Sequence, residues 1–181
     1  MADEQCLVLI KPDGLVKSLT GNIISVLSET KLKIVGARVV KVTKELAEKH
    51  YGKLKSELTE KHGDEKGGKI YASVLDYIQG KYHTDRVLAL VYHGENAIEK
   101  IRSLCGKTNP EEADPVTIRG KYGRINSKTG VFENVVHASD SKETAEREIK
   151  LWFKPAELTE KVYSTENKSC QNCKTQEVIW K

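Results

Sequence analysis

Apolar positions along the chain switch between two spacings, and the switches mark the elements. Residues 6–11, CLVLIK, are a short unbroken apolar run ending on Pro12-Asp13-Gly14, where proline sets φ and glycine permits a positive one. The run predicts a strand with Lys11 at its exit. Thr20 is placed to cap a helix in which Ile23, Ile24, Val26, Leu27 and Thr30 repeat at helical spacing, and Lys33 to Val42, KIVGARVVKV, reads as a second strand. Thr43 opens another helix, with Ala47, Tyr51, Leu54 and Leu58 on one stripe, so Tyr51 faces inward. Residues 59–69, TEKHGDEKGGK, hold no apolar side chain and two adjacent glycines, and read as a solvated insert before the helical segment IYASVLDYIQ.

The second half repeats the order. RVLALVYH predicts a strand, and Ala97, Ile98, Ile101, Leu104 and Cys105 fall in helical phase after it. From Gly106 to about Thr129 the periodicity disappears, a length that points to a functional loop, which carries Thr108, Arg119 and Lys121. A strand around VFENVVH and a helix SKETAEREIKLWF close the pattern, and a mostly polar tail follows from Pro155. The order β-α-β, β-α-β fits a ferredoxin-like α+β sandwich: a four-stranded antiparallel sheet with helices on one face, plus an inserted helical segment and a C-terminal extension. One domain is expected over residues 1–160, with 161–181 as its tail.

Composition narrows the partners. The 30 basic and 26 acidic residues of the 181 are largely interleaved and leave a net charge of +4, so there is no basic arm to grip nucleic acid, while anionic small molecules fit. MADEQCLVLIKPDG is neither a signal nor a transit peptide, and no segment approaches the ~20 apolar residues of a membrane span. The expectation is a soluble cytoplasmic protein. Cys6 and Cys105 lie in apolar-periodic segments, where a thiol acts as a small hydrophobe. Cys170 and Cys173 have C-x-x-C spacing, but no second pair or nearby histidine completes a zinc site, and the polar tail is not the strand-to-helix setting of a redox motif.

The stretch NVVHASDSKETAEREI, residues 134–149, raises the chemical question, because His137 can be a nucleophile, a metal ligand or a satisfied core residue. Asp140 as N-cap with Glu143 three residues on would fix the start of the terminal helix. Ala145, Ile149, Trp152 and Phe153 then define its apolar stripe, and Glu148 falls in the same arc. An inward carboxylate needs a partner, and His137 at the end of the preceding strand is one candidate. Such a carboxylate selects the imidazole tautomer, aims the free nitrogen and stabilises positive charge as it attacks an electrophile. The alternative is a boundary glutamate that reaches water or pairs with Arg147.

Lys11, Arg102 and Arg119, each an ordinary surface charge alone, would make a polyphosphate site if they converged, since arginine forks bind phosphate oxygens and lysine adds a point charge. There is no Walker A sequence, so side chains would do the holding.

IKPDG at 10–14, TNP at 108–110, TIRG at 117–120 and NVVHASDS at 134–141 followed by AEREI resemble nucleoside diphosphate kinases, with the motifs in the family's order across roughly residues 5–160. The resemblance implies a ferredoxin-like core and transfer of the terminal phosphate of a nucleoside triphosphate to a diphosphate, by a ping-pong route through phosphohistidine. On that reading His137 is the nucleophile, Glu148 orients its ring and Ser139 supports the site. Lys11, Tyr51, Arg102, Thr108, Arg119 and Asn134 match positions that bind phosphates or ribose or support the histidine. The resemblance also implies Mg2+ carried on nucleotide phosphates, without a protein metal cage, and a homo-oligomer: hexamer, tetramer or dimer.

The chain departs from the family in places. Where the family has an aromatic pair after a proline to stack the nucleobase, this chain has the polar insert and then Ile70 and Tyr71, which become the nucleobase candidates. TIRGD is TIRGK here, and RINSKTGVFEN lengthens the path to the active-site strand. The rival function is a ferredoxin-like module binding RNA or a regulatory nucleotide, for which the strands lack exposed aromatics at the required spacing.

Overall fold

Strand β1, Asp3–Ile10, is the axis of the molecule, and Cys6 to Ile10 are wholly shielded from solvent. A strand buried on both faces explains why CLVLI is an unbroken apolar run instead of an alternation. The computed structural model describes residues 3–169 and 176–181. The remaining core elements are α1 (Pro12–Val16), α2 (Thr20–Ser28), β2 (Lys33–Lys41), α3 (Lys44–His50), α4 (Leu54–His62), α5 (Asp64–Ile78), β3 (Arg86–Glu95) and α6 (Ala97–Cys105). After them come α7 (Ile118–Tyr122), β4 (Arg124–Ile125), β5 (Phe132–Glu133), β6 (Val136–Ala138), α8 (Lys142–Trp152), β7 (Thr165–Ser169) and β8 (Gln176–Trp180).

The main sheet has the order β2-β3-β1-β6 and is antiparallel throughout, as the ferredoxin-like reading expects. Helices cover both of its faces, not one. Cys6, Val8 and Ile10 pack with Ile23, Leu27 and Ile101 of α2 and α6. Leu7 and Leu9 face the other way, against Ala47, Leu75, Ile78, Ile149 and Trp152 of α3, α5 and α8. Truncating Leu7 or Leu9 to alanine would cost about 2–5 kcal/mol by opening a cavity in this second core.

Several local expectations shift. The insert at 59–69 is mostly helical, because α4 runs to His62 and α5 starts at Asp64, with Gly63 at φ +78° as the turn between them. Thr20 is the first residue of α2 and makes no cap bond. Thr43 does cap α3, its hydroxyl accepting from the Leu46 N–H. The cap of α8 is Ser141, not Asp140: the helix begins at Lys142, and the Ser141 hydroxyl accepts from the Thr144 N–H at 3.1 Å. The loop after Gly106 contains a 3-10 turn, Pro110–Glu112, and then α7 with Thr117 as its cap, elements too short to show a period.

The VFENVVH strand is broken in two. Phe132–Glu133 pairs with Arg124–Ile125 as a separate hairpin, and only Val136–Ala138 joins the main sheet beside β1. The break lies at Val135, a buried β-branched residue held at φ +56°. In the tail, β7 and β8 form a hairpin that returns to the body, where the Trp180 indole donates to the Phe153 carbonyl at 2.7 Å. Cys170 and Cys173 lie outside the described residues, whereas Cys6 and Cys105 are buried free thiols. No helix among the described residues is long and apolar enough to cross a membrane.

Candidate active site

His137 sits in the centre of β6, paired with Leu9 of β1, on an edge strand of the sheet. The phase of α8 sends Glu148 inward with Ala145, Ile149 and Trp152, and the carboxylate is 2% exposed. Its Oε2 lies 2.9 Å from His137 Nε2 and accepts from the Ser139 hydroxyl at 2.7 Å. Ser139 is itself fixed to β1, its hydroxyl accepting from the Leu7 N–H. Burial opposes ionisation of Glu148, but the neighbouring His137, the bond to it and the Ser139 hydroxyl outweigh it and hold the carboxyl below its usual range. A charged acceptor at Nε2 places the ring proton there and leaves the Nδ1 lone pair free. Of the readings open for His137, the oriented imidazole fits; of those for Glu148, the inward one does, although the Arg147 guanidinium also lies 3.5 Å from Oε1.

A second imidazole backs this pair, unnoticed in the sequence. His50, at the end of α3, lies edge-on to His137 with ring centroids 4.5 Å apart. Its Nδ1 accepts from the Trp152 indole N–H at 3.1 Å. Burial, with the proximity of His137, pushes its pKa down to about 3, so the ring is neutral. The signal that could have found it is its place three residues after Ala47 on the apolar arc of α3. His50, His137 and Glu148 form a group of potential metal ligands, yet two imidazoles and one carboxylate do not suit magnesium, which prefers an all-oxygen shell.

A cleft of about 570 Å³ opens in front of His137, within the range of small-molecule sites. Lys11, Arg102, Arg119 and Lys69 bring four cations to its lining, and Asp140 is the only carboxylate among the described residues there. Lys11 leaves β1 just before the α1 turn and donates to Asn134 Oδ1 at 2.8 Å. Burial pulls its pKa down to about 8 against the support of Asp13. The guanidinium of Arg119 donates to the carbonyls of Gly106 at 2.8 Å and Val136 at 3.2 Å, which ties α7 to the histidine strand. Arg102 and Thr108 are exposed and also line the cleft. Asn134 links Lys11 to the Thr108 carbonyl, to which its amide donates at 2.8 Å. The Tyr51 hydroxyl is buried in the same lining and has no hydrogen-bond partner among the described residues, as a donor reserved for a ligand would be.

All the candidates for catalysis and phosphate binding therefore meet in or beside one cleft. The nucleobase pair divides: Ile70 lines the cleft, but Tyr71 packs toward the core on the α3 and α5 side of the sheet, since consecutive helical residues diverge by about 100°. Sequence reasoning also missed Val131 and Phe132, which the hairpin brings to the cleft.

A ferredoxin-like sandwich with a cationic cleft and an acid-held imidazole is the class of molecule this fold and site define. The family described as "Nucleoside diphosphate kinase" matches residues 4–158. A nucleoside diphosphate kinase of Pyrococcus furiosus is 44% identical over 157 residues, 87% of this chain and 87% of that protein. An NDP kinase of Pyrobaculum aerophilum superposes with a TM-score of 0.76 at 32% identity, over 88% of this chain and all of that one. A Borrelia burgdorferi structure, a transition-state mimic of nucleoside-diphosphate kinase with bound vanadate and ADP, superposes with a TM-score of 0.74 at 34% identity, over 86% of this chain and 90% of that one. The chain belongs to the nucleoside diphosphate kinase family, and so to the phosphotransferases.

Proposed function

We propose that this protein transfers the γ-phosphate of a nucleoside triphosphate to a nucleoside diphosphate in two half-reactions through phosphohistidine at His137. The observation that carries the mechanism is the 2.9 Å contact of His137 Nε2 with the Glu148 carboxylate, which leaves Nδ1 free in a cationic cleft. In the first half-reaction the Nδ1 lone pair forms a bond to the γ-phosphorus as the bond to the bridging oxygen breaks, and the diphosphate leaves with that electron pair. The Nε2 proton stays between the ring and Glu148, whose charge stabilises the cationic phospho-imidazole. A terminal phosphate oxygen of a second diphosphate then bonds to the phosphorus as the N–P bond breaks, and the electron pair returns to Nδ1 to regenerate the neutral ring.

Lys11, Arg102 and Arg119 compensate the charge on the transferring oxygens, with Tyr51, Thr108 and Asn134 donating to or supporting the phosphates and ribose. Ile70 contributes to the nucleobase wall. Magnesium fits as a passenger on the nucleotide phosphates, because among the described residues the lining offers one carboxylate, Asp140, and no oxygen cage. When bound there it neutralises phosphate charge. A cytoplasmic homo-oligomer is the setting we infer, supported by exposed Ile34 and Val39 on β2, an outer strand of the sheet. The rival RNA-binding reading is not favoured, since helices cover both sheet faces and leave no platform for stacked bases.

The test is incubation with γ-labelled ATP and magnesium. An acid-labile, alkali-stable phosphoenzyme that a nucleoside diphosphate discharges is expected from the wild type and not from His137→Ala. Labelling and turnover by His137→Ala would overturn the mechanism.

A further inference from the structure

The hairpin of β4 and β5 carries a buried carboxylate that the phosphate chemistry does not use. Glu133 is 1% exposed. Within the hairpin it accepts from Arg124 Nε at 2.6 Å and Asn126 Nδ2 at 2.7 Å. From the body, His83 Nε2 lies at 3.2 Å and Lys17 Nζ at 3.9 Å. His83 follows α5 and Lys17 follows α1, so one carboxylate fastens the root of the hairpin to two separate parts of the fold. A buried charge is tolerated only while such partners stay in place, which makes the network a staple.

The strand pleat then decides what the staple holds. Successive residues of β5 face opposite ways, so Glu133 turns into the body and Phe132 turns into the cleft lining beside Val131. Phe132 remains 37% exposed and belongs to neither core. The other apolar lining comes from Leu54, Leu58, Ile70 and Val74 of α4 and α5. The cleft lining thus combines the buried cations Lys11 and Arg119 with apolar side chains, of which the Phe132 ring is the exposed one on the hairpin.

We propose that Phe132 stacks on the nucleobase of the bound nucleotide and that Glu133 is the positioning residue that holds it there. The proposal rests on the phosphoryl-transfer reading for the identity of the ligand. A phenyl face accepts any base, so it contributes affinity in proportion to ring area and favours purine over pyrimidine nucleotides.

Calorimetric titration of the full chain with ADP and with pyrophosphate, each with magnesium, separates the base from the phosphates. Phe132→Ala is expected to weaken ADP about tenfold and leave pyrophosphate unchanged, with Phe132→Trp restoring ADP affinity. Unchanged ADP binding, or an equal loss for pyrophosphate, overturns the proposal. Glu133→Gln should weaken ADP in the wild-type background and add nothing in Phe132→Ala, a non-additivity that a merely structural role does not produce. Equal losses in both backgrounds would remove Glu133 from its role. A wild type that binds ADP more tightly than pyrophosphate, loses that difference in Phe132→Ala and yet forms no phosphohistidine would sustain the stacking and remove the transfer mechanism.

Discussion

Glu148 Oε2 holds His137 by Nε2 at 2.9 Å while Ser139 donates to the same oxygen at 2.7 Å, so the carboxylate is positioned by one neighbour and positions the other. Glu148→Gln keeps the shape and removes the charge. The expected result is a folded protein with kcat reduced by about 10–100-fold and KM little changed, because the lost interaction strengthens only as the ring becomes cationic. Stopped-flow measurement of phosphoenzyme formation checks it, and an unchanged rate would leave Glu148 a packing residue.

Lys11 gives the site a pH dependence with opposite signs for stability and binding. Its pKa falls from an ordinary 10.5 to about 8 on folding. Between those values the unfolded chain binds more protons than the folded one, so the contribution of Lys11 to stability rises with pH across that window. On the proposed mechanism phosphate binding needs the charged amine, and so weakens as pH climbs through about 8. Nucleotide KM is therefore expected to rise above that pH in the wild type, while Lys11→Met shows a higher KM at pH 7 and a flat profile. A KM-against-pH series on both proteins decides it.

The strands and helices that pack on the sheet were legible because burial imposes a period: CLVLI gave β1, and the phase of α8 brought Glu148 inward. What was not legible depends on contacts distant in sequence. Gly67 read as a helix breaker, yet it sits inside α5 where a Cβ would lie 2.6 Å from the Leu58 carbonyl oxygen, so the glycine allows α4 and α5 to touch. The covered second face of the sheet did leave a signal, since the unbroken run CLVLI is what a strand buried on both sides shows and a one-sided sheet would have given an alternation. Val135 at φ +56° could not be foreseen, since β-branched residues avoid that region unless the surroundings enforce it. The cluster of motifs marked the cationic side chains of the cleft, whereas Val131 and Phe132 reach the lining on a short hairpin with no periodic signal.

The Val135 conformation has an identifiable restraint. Its N–H donates to Asp13 Oδ2 at 3.0 Å, and its carbonyl accepts from the Lys11 N–H at 2.8 Å. Asp13→Ala leaves a buried N–H without a partner beside a strained residue. The expected loss is about 2 kcal/mol, which for a chain of this size lowers Tm by roughly 4–8 °C. Because Val135 is two residues before His137, phosphoenzyme formation should also slow at temperatures where the variant is fully folded. Calorimetry and single-turnover kinetics measure the two effects separately, and a variant that melts at the wild-type temperature would show that Asp13 does not restrain the turn.

Gly120, in the turn of helix that carries Arg119, tests how strictly that arginine is placed. A Cβ there would run into the carbonyl oxygen of Asp114, and backbone cannot yield as a side-chain tip can. The Gly120 N–H also donates to the Thr117 hydroxyl that caps α7. Gly120→Ala therefore displaces α7 and with it the guanidinium, at a cost of about 1–3 kcal/mol. The two carbonyls that Arg119 reaches, Gly106 and Val136, lie outside α7, so a shift of α7 pulls the fork away from both. Nucleotide KM should rise and kcat fall together in the folded variant, since the proposed mechanism assigns Arg119 to both the ground-state phosphates and the transferring group. Wild-type kinetics in Gly120→Ala would place Arg119 outside the phosphate-binding set.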